Sequence, residues 1–194
     1  MMNLSAKKIM LLATYSLIFM ASTVQAQVKQ TDTRDINICY ENLSEAYVSL
    51  NASQMVNVYA DGGHYLSAGS KQGIIKGKPA LSRLYNAYFG RLKKHNSSLD
   101  LQFRVSDRLV DEKSISDIGY YVVTIIPPKE SGQPAKQHAG KFMITFKVQD
   151  NGQWGIWSEA NSKAKVERYI EAQRQGNLHY DPYYPVSHYQ QTKK

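Results

Sequence analysis

The spacing of apolar residues changes near residue 97, and this change restricts the fold more than any other feature. Before it, apolar side chains recur every three or four positions, as along one face of an α-helix. After it, apolar and polar residues alternate, as along a β-strand with one buried face. Helices followed by consecutive strands are typical of an α+β domain. We therefore predict helices packed on a mostly antiparallel sheet.

Three helices are predicted before the change. The apolar stripe of the first contains Ile36, Tyr40, Leu43, Tyr47 and Leu50. Ser53 is the predicted cap of a short second helix, which residues 61–63 end with turn chemistry. Short strands follow at residues 64–67 and 72–76. Residues 77–79 open the third helix with a proline in its first turn, and its stripe is Leu81, Leu84, Tyr85, Tyr88 and Leu92.

Four strands and a final helix are predicted after the change. The first strand alternates at Leu99, Leu101, Phe103 and Val105. Residues 118–126 and 140–148 form the next two strands, and residues 150–152 carry a tight hairpin signal. The last strand runs from Trp154 to about residue 161. Ser162 then caps a C-terminal helix over residues 163–175, and a tail with tyrosines and prolines occupies residues 176–194.

The first 26 residues have the pattern of a secretory signal peptide. Lys7 and Lys8 precede an apolar run at residues 9–20 that is short for a membrane span, and Val24 and Ala26 supply small residues at a cleavage site. The alternative is an N-terminal membrane anchor. We predict cleavage, a polar leader over residues 27–34, an exported protein that is periplasmic or secreted, and no stable membrane span after cleavage.

The cysteine count and the charge narrow the classes of partner. Cys39 is the single cysteine, so an internal disulfide is impossible; it is either a buried residue of the first helix or a bridge between protomers. The formal charge of +8 is dispersed, and its densest run, residues 91–95, matches a solvated helix C-terminus. We predict no nucleic-acid partner. Attraction to an anionic envelope surface stays open.

Six short segments resemble the nuclear transport factor 2-like superfamily in order and spacing, and are closest to its SnoaL-like branch. They are residues 58–61, 75–81, 117–121, 140–142, 151–154 and 159–162. The resemblance covers a domain at residues 35–162. It implies a cone-shaped α+β fold in which helices pack on a curved, mostly antiparallel sheet around a pocket, often in a homodimer.

The same resemblance permits a test against ketosteroid isomerase, which uses an aspartate base, a tyrosine and a protonated aspartate. The base position falls at Ser67, and the tyrosine position falls at Ala46, next to Tyr47. Residues 142–148, where the acid donor would lie, contain no carboxylate. We therefore do not expect isomerase chemistry by that mechanism.

Three other residues are candidate acid-base groups: Asp61, His64 and Glu159. Asp61 either acts in catalysis or caps the turn after the second helix. His64 either lines the pocket or faces water. Glu159 matches a position where relatives carry an acid, and a carboxyl among aromatic walls would have a raised pKa. The alternative for Glu159 is an ion pair at the strand end.

Aromatic side chains suit a pocket that accepts a small apolar or aromatic ligand, because they offer large apolar faces and, for tyrosine, a polar group. Together with Glu159, the predicted pocket residues are Tyr47, Tyr59, Tyr65, Tyr85, Tyr88 and Trp157. The alternative is that some of them are core. The five histidines show no short ligand spacing, so we predict neither a metal nor a cofactor.

Three functions remain open. The first is an exported small-molecule-binding or accessory protein without an assigned reaction. The second is an isomerase, dehydratase or hydrolase that uses Glu159 or His64. The third is a dimeric interaction module with the tail as a docking peptide, although the tail could also cover the pocket mouth or be disordered.

Overall fold

The computed structural model describes residues 33–67 and 73–191. The predicted signal peptide at residues 1–26, leader residues 27–32 and the loop at residues 68–72 lie outside the described residues. Residues 36–194 form a compact unit that contains the sheet. Within the described ranges, no helix combines the length and apolar character needed to cross a membrane.

The described chain contains five α-helices, one 3-10 helix (Lys129–Ser131) and six strands. Helix α1 is described over residues 33–48. The other helices are α2 (Ala52–Asn57), α3 (Lys78–Lys94), α4 (Val166–Glu171) and α5 (Val186–Gln191). The strands are β1 (Tyr59–Ser67), β2 (Ile75–Lys76), β3 (Ser98–Val110), β4 (Ser114–Ile126), β5 (Lys136–Val148) and β6 (Trp154–Ala164).

The six strands form one open, curved sheet in the order β2-β1-β6-β5-β4-β3. Only the β1–β6 pair is parallel, and the other four described pairs are antiparallel. One face carries the alternating residues Leu99, Leu101, Phe103 and Val105, which are buried in the same core cluster as α1 and α3. This arrangement confirms the predicted α+β class and the mostly antiparallel sheet.

Helix α2 differs from its prediction at both ends. Its cap is Asn51, whose side chain accepts a hydrogen bond from the Gln54 amide at 3.1 Å, and not Ser53. It ends at Asn57, whereas the sequence pattern extended it to the glycines. Tyr59 instead begins β1, because it pairs with Ile156 of β6 and long-range pairing overrides the local helical pattern.

The two glycines predicted as a turn lie inside β1, where the register with β6 shifts between Tyr59 and His64. Gly62 has a φ of +73°, which side chains rarely tolerate. At Gly63 a Cβ atom would lie 2.7 Å from the Ile156 carbonyl oxygen. Glycine is therefore needed for the strands to approach each other here.

A buried network joins α1 to strands β3 and β4. The Arg108 guanidinium donates to both carboxylate oxygens of Asp117, at 2.7 and 2.6 Å, and Tyr40 donates to the same carboxylate at 2.9 Å. Asp117 is fully buried, so these bonds replace the water it loses on folding. Cys39 is buried beside them on α1, as the first of its two interpretations predicts.

The described tail residues, 176–191, pair with the outer edge of the sheet. The Val105 amide donates to the His179 carbonyl at 3.0 Å, and the Asp181 amide donates to the Phe103 carbonyl at 2.8 Å. These bonds satisfy edge groups that would otherwise be exposed. Over residues 176–191, the tail therefore packs against the sheet and is absent from the pocket lining.

Arg104 holds the C-terminal region against the sheet. Its guanidinium donates to the carbonyls of Tyr169 and Ile170 at the end of α4, at 2.9 and 3.0 Å, and to that of Asp181 at 3.0 Å. It also lies between the rings of Tyr169 and Tyr180, 4.5 and 4.2 Å from their centroids. A cation here also complements the helix dipole.

Replacing Arg104 with glutamine should destabilise the protein by about 2–4 kcal/mol, because buried carbonyls lose a charged donor. Urea unfolding measures this loss, and hydrogen exchange should become faster across residues 166–191. Arg168→Gln is the control, since Arg168 is exposed and pairs only within α4 at 3.1 Å with Glu171. Equal stability of the two variants would show that Arg104 does not anchor the tail.

Candidate functional site

A cavity of about 880 Å³ lies between the sheet and helices α1, α2 and α3. Its walls combine aliphatic side chains with tyrosines and a few polar groups. The lining residues used below are Leu43, Tyr47, Tyr65, Lys76, Arg83, Leu84, Tyr85, Ala87, Tyr88, Arg91, Phe103, His138, Glu159 and Asn161. Small-molecule sites have this size and this mainly apolar lining with a few placed polar groups.

A β-bulge in β6 brings Glu159 into this cavity. Opposite β5, Thr145 pairs with Ser158 and Phe146 pairs with Ile156, so Trp157 is an extra residue on its strand. The bulge resets the alternation of side chains between the two faces. Ile156 is fully buried in the core, and Glu159 and Asn161 line the cavity.

The Glu159 carboxyl ends a hydrogen-bonded chain that includes the hydroxyl groups of Tyr59 and Tyr85. Tyr59 donates to the Glu159 Oε2 atom at 2.5 Å, and the Tyr59 and Tyr85 hydroxyls are 3.0 Å apart. Because Tyr59 gives its single proton to Glu159, Tyr85 is the donor in the second bond. A polar path of three side chains therefore runs from the carboxyl to the Tyr85 hydroxyl in the cavity wall.

The surroundings of Glu159 favour its neutral form. Burial raises the pKa of Glu159, and hydrogen bonds from Tyr59 and Asn161 lower it only in part. Burial, followed by the charge of Glu159, also raises the pKa of Tyr59 and of Tyr85 well above the ordinary tyrosine value. The tyrosines therefore act as hydroxyl donors, and Glu159 can exchange a proton nearer to neutral pH than an exposed glutamate.

Asn161 extends the polar end of the cavity. Its Nδ2 atom donates to the Tyr65 hydroxyl at 3.2 Å and lies 3.4 Å from Glu159 Oε1. Asn161 and Glu159 are two residues apart on β6 and share a face after the bulge. The amide therefore supports the carboxyl and offers a ligand a second polar contact.

Aromatic rings from α1 and α3 form the opposite wall. Tyr47 meets Phe89 edge to face with centroids 5.4 Å apart, and Tyr88 and Tyr85 lie 5.5 and 5.8 Å from the same ring. Phe89 is fully buried behind the tyrosines, so it fixes the orientation of their rings.

Five of the seven predicted pocket residues line the cavity, namely Tyr47, Tyr65, Tyr85, Tyr88 and Glu159. Tyr59 is fully buried and reaches the site through its bond to Glu159. Trp157 does not line the cavity, which corrects its predicted place. Its ring packs on His64 with centroids 5.1 Å apart, and the Lys147 Nζ atom lies 4.1 Å from its centroid.

Two predicted acid-base candidates lie outside the cavity lining. The Asp61 side chain is 89% exposed and pairs with Lys78 at 2.7 Å. Asp61 lies on β1 and not in a turn after α2, so the predicted capping role is also wrong. His64 is half-buried, and its Nδ1 atom lies 3.3 Å from the Trp157 carbonyl. Of the three candidates, the structure brings only Glu159 into the cavity.

Several lining residues were missed by the sequence analysis: Lys76, Arg83, His138 and Asn161. Asn161 belongs to a segment that carries the family resemblance, so position alone could have suggested it. Arg91 was assigned to a solvated helix end, and it is exposed and lines the cavity mouth as well. Over the described ranges, no group of three or more His, Cys, Asp or Glu could hold a metal ion.

No family model matches the chain, and no curated protein matches it. The structure is similar to a nuclear transport factor 2-like protein with a cystatin-like fold from Novosphingobium aromaticivorans, with a TM-score of 0.61. The two sequences are 15% identical, and the match covers 78% of this chain and 96% of that chain.

Two further solved structures agree. A ketosteroid isomerase-like protein from Erwinia carotovora atroseptica has 14% identity, covers 69% of this chain and 97% of its own, and gives a TM-score of 0.55. A nuclear transport factor 2-like superfamily protein from Salmonella enterica serovar Typhimurium has 14% identity, with 71% and 95% covered and a TM-score of 0.57. These likenesses confirm the predicted fold.

Glu159→Gln should change the pH dependence of stability. The pKa of Glu159 is higher in the folded state than in the unfolded state, so the unfolded chain releases this proton first as pH rises. The free energy of unfolding therefore decreases as the pH rises from the unfolded-state pKa to the folded-state pKa. The variant lacks this loss, so it should gain stability relative to the parent across that interval, by about 1.4 kcal/mol per unit of pKa difference.

Urea unfolding at a series of pH values measures this difference. Glu130→Gln, which removes an exposed carboxyl from the 3-10 helix Lys129–Ser131, controls for the loss of one negative charge. A stability difference between Glu159→Gln and the parent that stays constant from pH 4 to pH 8, about the range in which a buried glutamate titrates, would contradict the proposed environment of Glu159.

Proposed function

We propose that this chain, which has the nuclear transport factor 2-like fold, binds a small, partly apolar molecule in its tyrosine-lined cavity. The observation that carries the proposal is a cavity of about 880 Å³ with one half-buried carboxyl, hydrogen-bonded to Tyr59 and Asn161, in its wall. A core would fill such a space with side chains, since interiors are close-packed. Burying an acid is costly, so its place in a cavity wall favours a role in binding.

The lining divides the cavity into two chemical surfaces. Leu43, Leu84 and Phe103 offer apolar contact, whereas Glu159, Asn161 and Tyr65 offer hydrogen bonds at one end. A ligand with an apolar body and one hydroxyl or carbonyl group matches both. Such a molecule gains from burial of its body and keeps its polar group bonded.

The same proposal includes export and dimer formation. The signal-peptide pattern of residues 1–26 supports a periplasmic or secreted location, and the fold resemblance supports a homodimer. Native mass spectrometry of the mature protein would report both the protomer number and any retained small molecule. A monomer would remove the dimer from the proposal and leave the cavity unaffected.

A blocked cavity gives a direct test. Ala87 is an exposed α3 residue that lines the cavity, so Ala87→Trp should fill the space without disturbing the core. With naphthylethanol as a neutral aromatic probe, calorimetry should show at least about a tenfold loss of affinity, or ~1.4 kcal/mol.

Asn86→Trp is the matched control, since Asn86 is the exposed neighbour on the same helix and does not line the cavity. Equal affinity of the two variants would show that the probe binds elsewhere. If the parent protein does not bind the probe at all, the proposed binding function fails.

A second candidate function is proton transfer by Glu159, favoured by its raised pKa and its place among hydroxyl donors. The ionised carboxyl would take a proton from a carbon next to a ligand carbonyl and, once neutral, return a proton to it. Naphthylacetone in deuterium oxide tests this step, because exchange replaces its methylene hydrogen with deuterium.

Proton NMR should show faster loss of the methylene signal with the parent protein than with Glu159→Gln. Asn86→Trp, which leaves both cavity and carboxyl intact, should exchange like the parent. If the parent and Glu159→Gln exchange at the same rate, Glu159 has no catalytic role and binding alone remains.

A further inference from the structure

Helix α3 carries positive charge and has no acidic residue of its own. Its sequence, KPALSRLYNAYFGRLKK, contains five lysines and arginines and neither aspartate nor glutamate. The last turn accounts for three of the five, where cations favour the helix dipole. Two of the five, Arg83 and Arg91, line the cavity.

Three cationic residues line the cavity mouth: Lys76 on β2, and Arg83 and Arg91 on α3. Arg83, Ala87 and Arg91 are spaced by four residues, so they share one face of the helix. Along the axis the two arginines are about 12 Å apart, a span that brackets the mouth. All three cations are exposed.

These cations are not neutralised within the part of the chain that the structure describes. The four ion pairs there involve Lys78, Arg108, Arg168 and His179, and none involves Lys76, Arg83 or Arg91. Glu159 is the one carboxyl among the cavity-lining residues. The described mouth therefore has an excess of positive charge.

The carboxyl and the arginines belong to different elements of the cavity wall. Glu159 is on β6, where Tyr59 and Asn161 donate hydrogen bonds to it. Arg83 and Arg91 are on α3, and neither they nor Lys76 takes part in any of the four ion pairs above. The cavity thus combines a hydrogen-bonded carboxyl, apolar walls and exposed cations.

We infer that the ligand is an amphipathic organic anion whose apolar body fills the cavity while its carboxylate stays at the mouth with Arg83, Arg91 and Lys76. This inference rests on the proposed binding function and specifies the chemical class of its ligand. Guanidinium groups bind carboxylates well, because their planar donor pairs match the two carboxylate oxygens. An anionic head also stays partly hydrated there, which avoids the cost of burying a charge.

Naphthylacetate and naphthylethanol form a matched pair of probes that differ in the charged group. Calorimetry with the parent protein should show the acid anion binding about fivefold to tenfold more tightly than the alcohol, the size expected for partly exposed charge pairs. Raising the sodium chloride concentration should weaken binding of the anion and leave the alcohol unchanged.

The double variant Arg83→Gln/Arg91→Gln, which keeps only Lys76 of the three cations, should lose most of this preference, with unchanged affinity for the alcohol. Lys93→Gln is the control, because Lys93 is an exposed cation of the same helix that does not line the cavity. It should retain the preference of the parent protein.

The outcomes separate the two proposals. If the alcohol binds in the cavity and the parent shows no preference for the anion, the inference is wrong and the binding function stands. A preference as large in the double variant as in the parent would also overturn the inference, since the charge would be recognised elsewhere. If neither probe binds, both the inference and the binding function fail.

Discussion

The bulge at Trp157 is the constraint on which the candidate site depends. On a regular strand, Ile156 and Glu159 are three residues apart and would point to opposite faces of the sheet. The bulge places both on the same face, where Ile156 enters the core and Glu159 lines the cavity. The neighbouring strand accommodates the bulge through glycine, because a Cβ atom at Gly63 would collide with the Ile156 carbonyl. Trp157 on β6 and Gly63 on β1 thus determine the position of Glu159.

The buried carboxyl then requires its own support. Glu159 loses water on folding, and Tyr59 and Asn161 replace part of that hydration. Tyr59 is in turn hydrogen-bonded to Tyr85, whose ring packs near the fully buried Phe89. The polar chain is therefore held by the aromatic core, and the acid is oriented without an ion pair.

Sequence periodicity predicted the elements of this fold and only part of its site. The long stripes of α1 and α3 and the alternation of β3 depend on local spacing, so they were readable. Trp157 was misplaced because a bulge breaks the period of two and leaves no clear signal in one sequence. Tail pairing with β3 was unreadable because it joins residues more than 70 positions apart, such as Val105 and His179.

The positions of the charges determine how a ligand would be oriented. An anionic group placed at Glu159 would lose hydration and meet a carboxyl and tyrosine hydroxyls in place of a cation. A neutral hydroxyl or carbonyl has a smaller cost there and finds hydrogen-bonding groups at Glu159, Asn161 and Tyr65. In the proposed complex the charged group therefore remains at Arg83 and Arg91. The neutral polar group of the ligand, and not its charge, then faces Glu159.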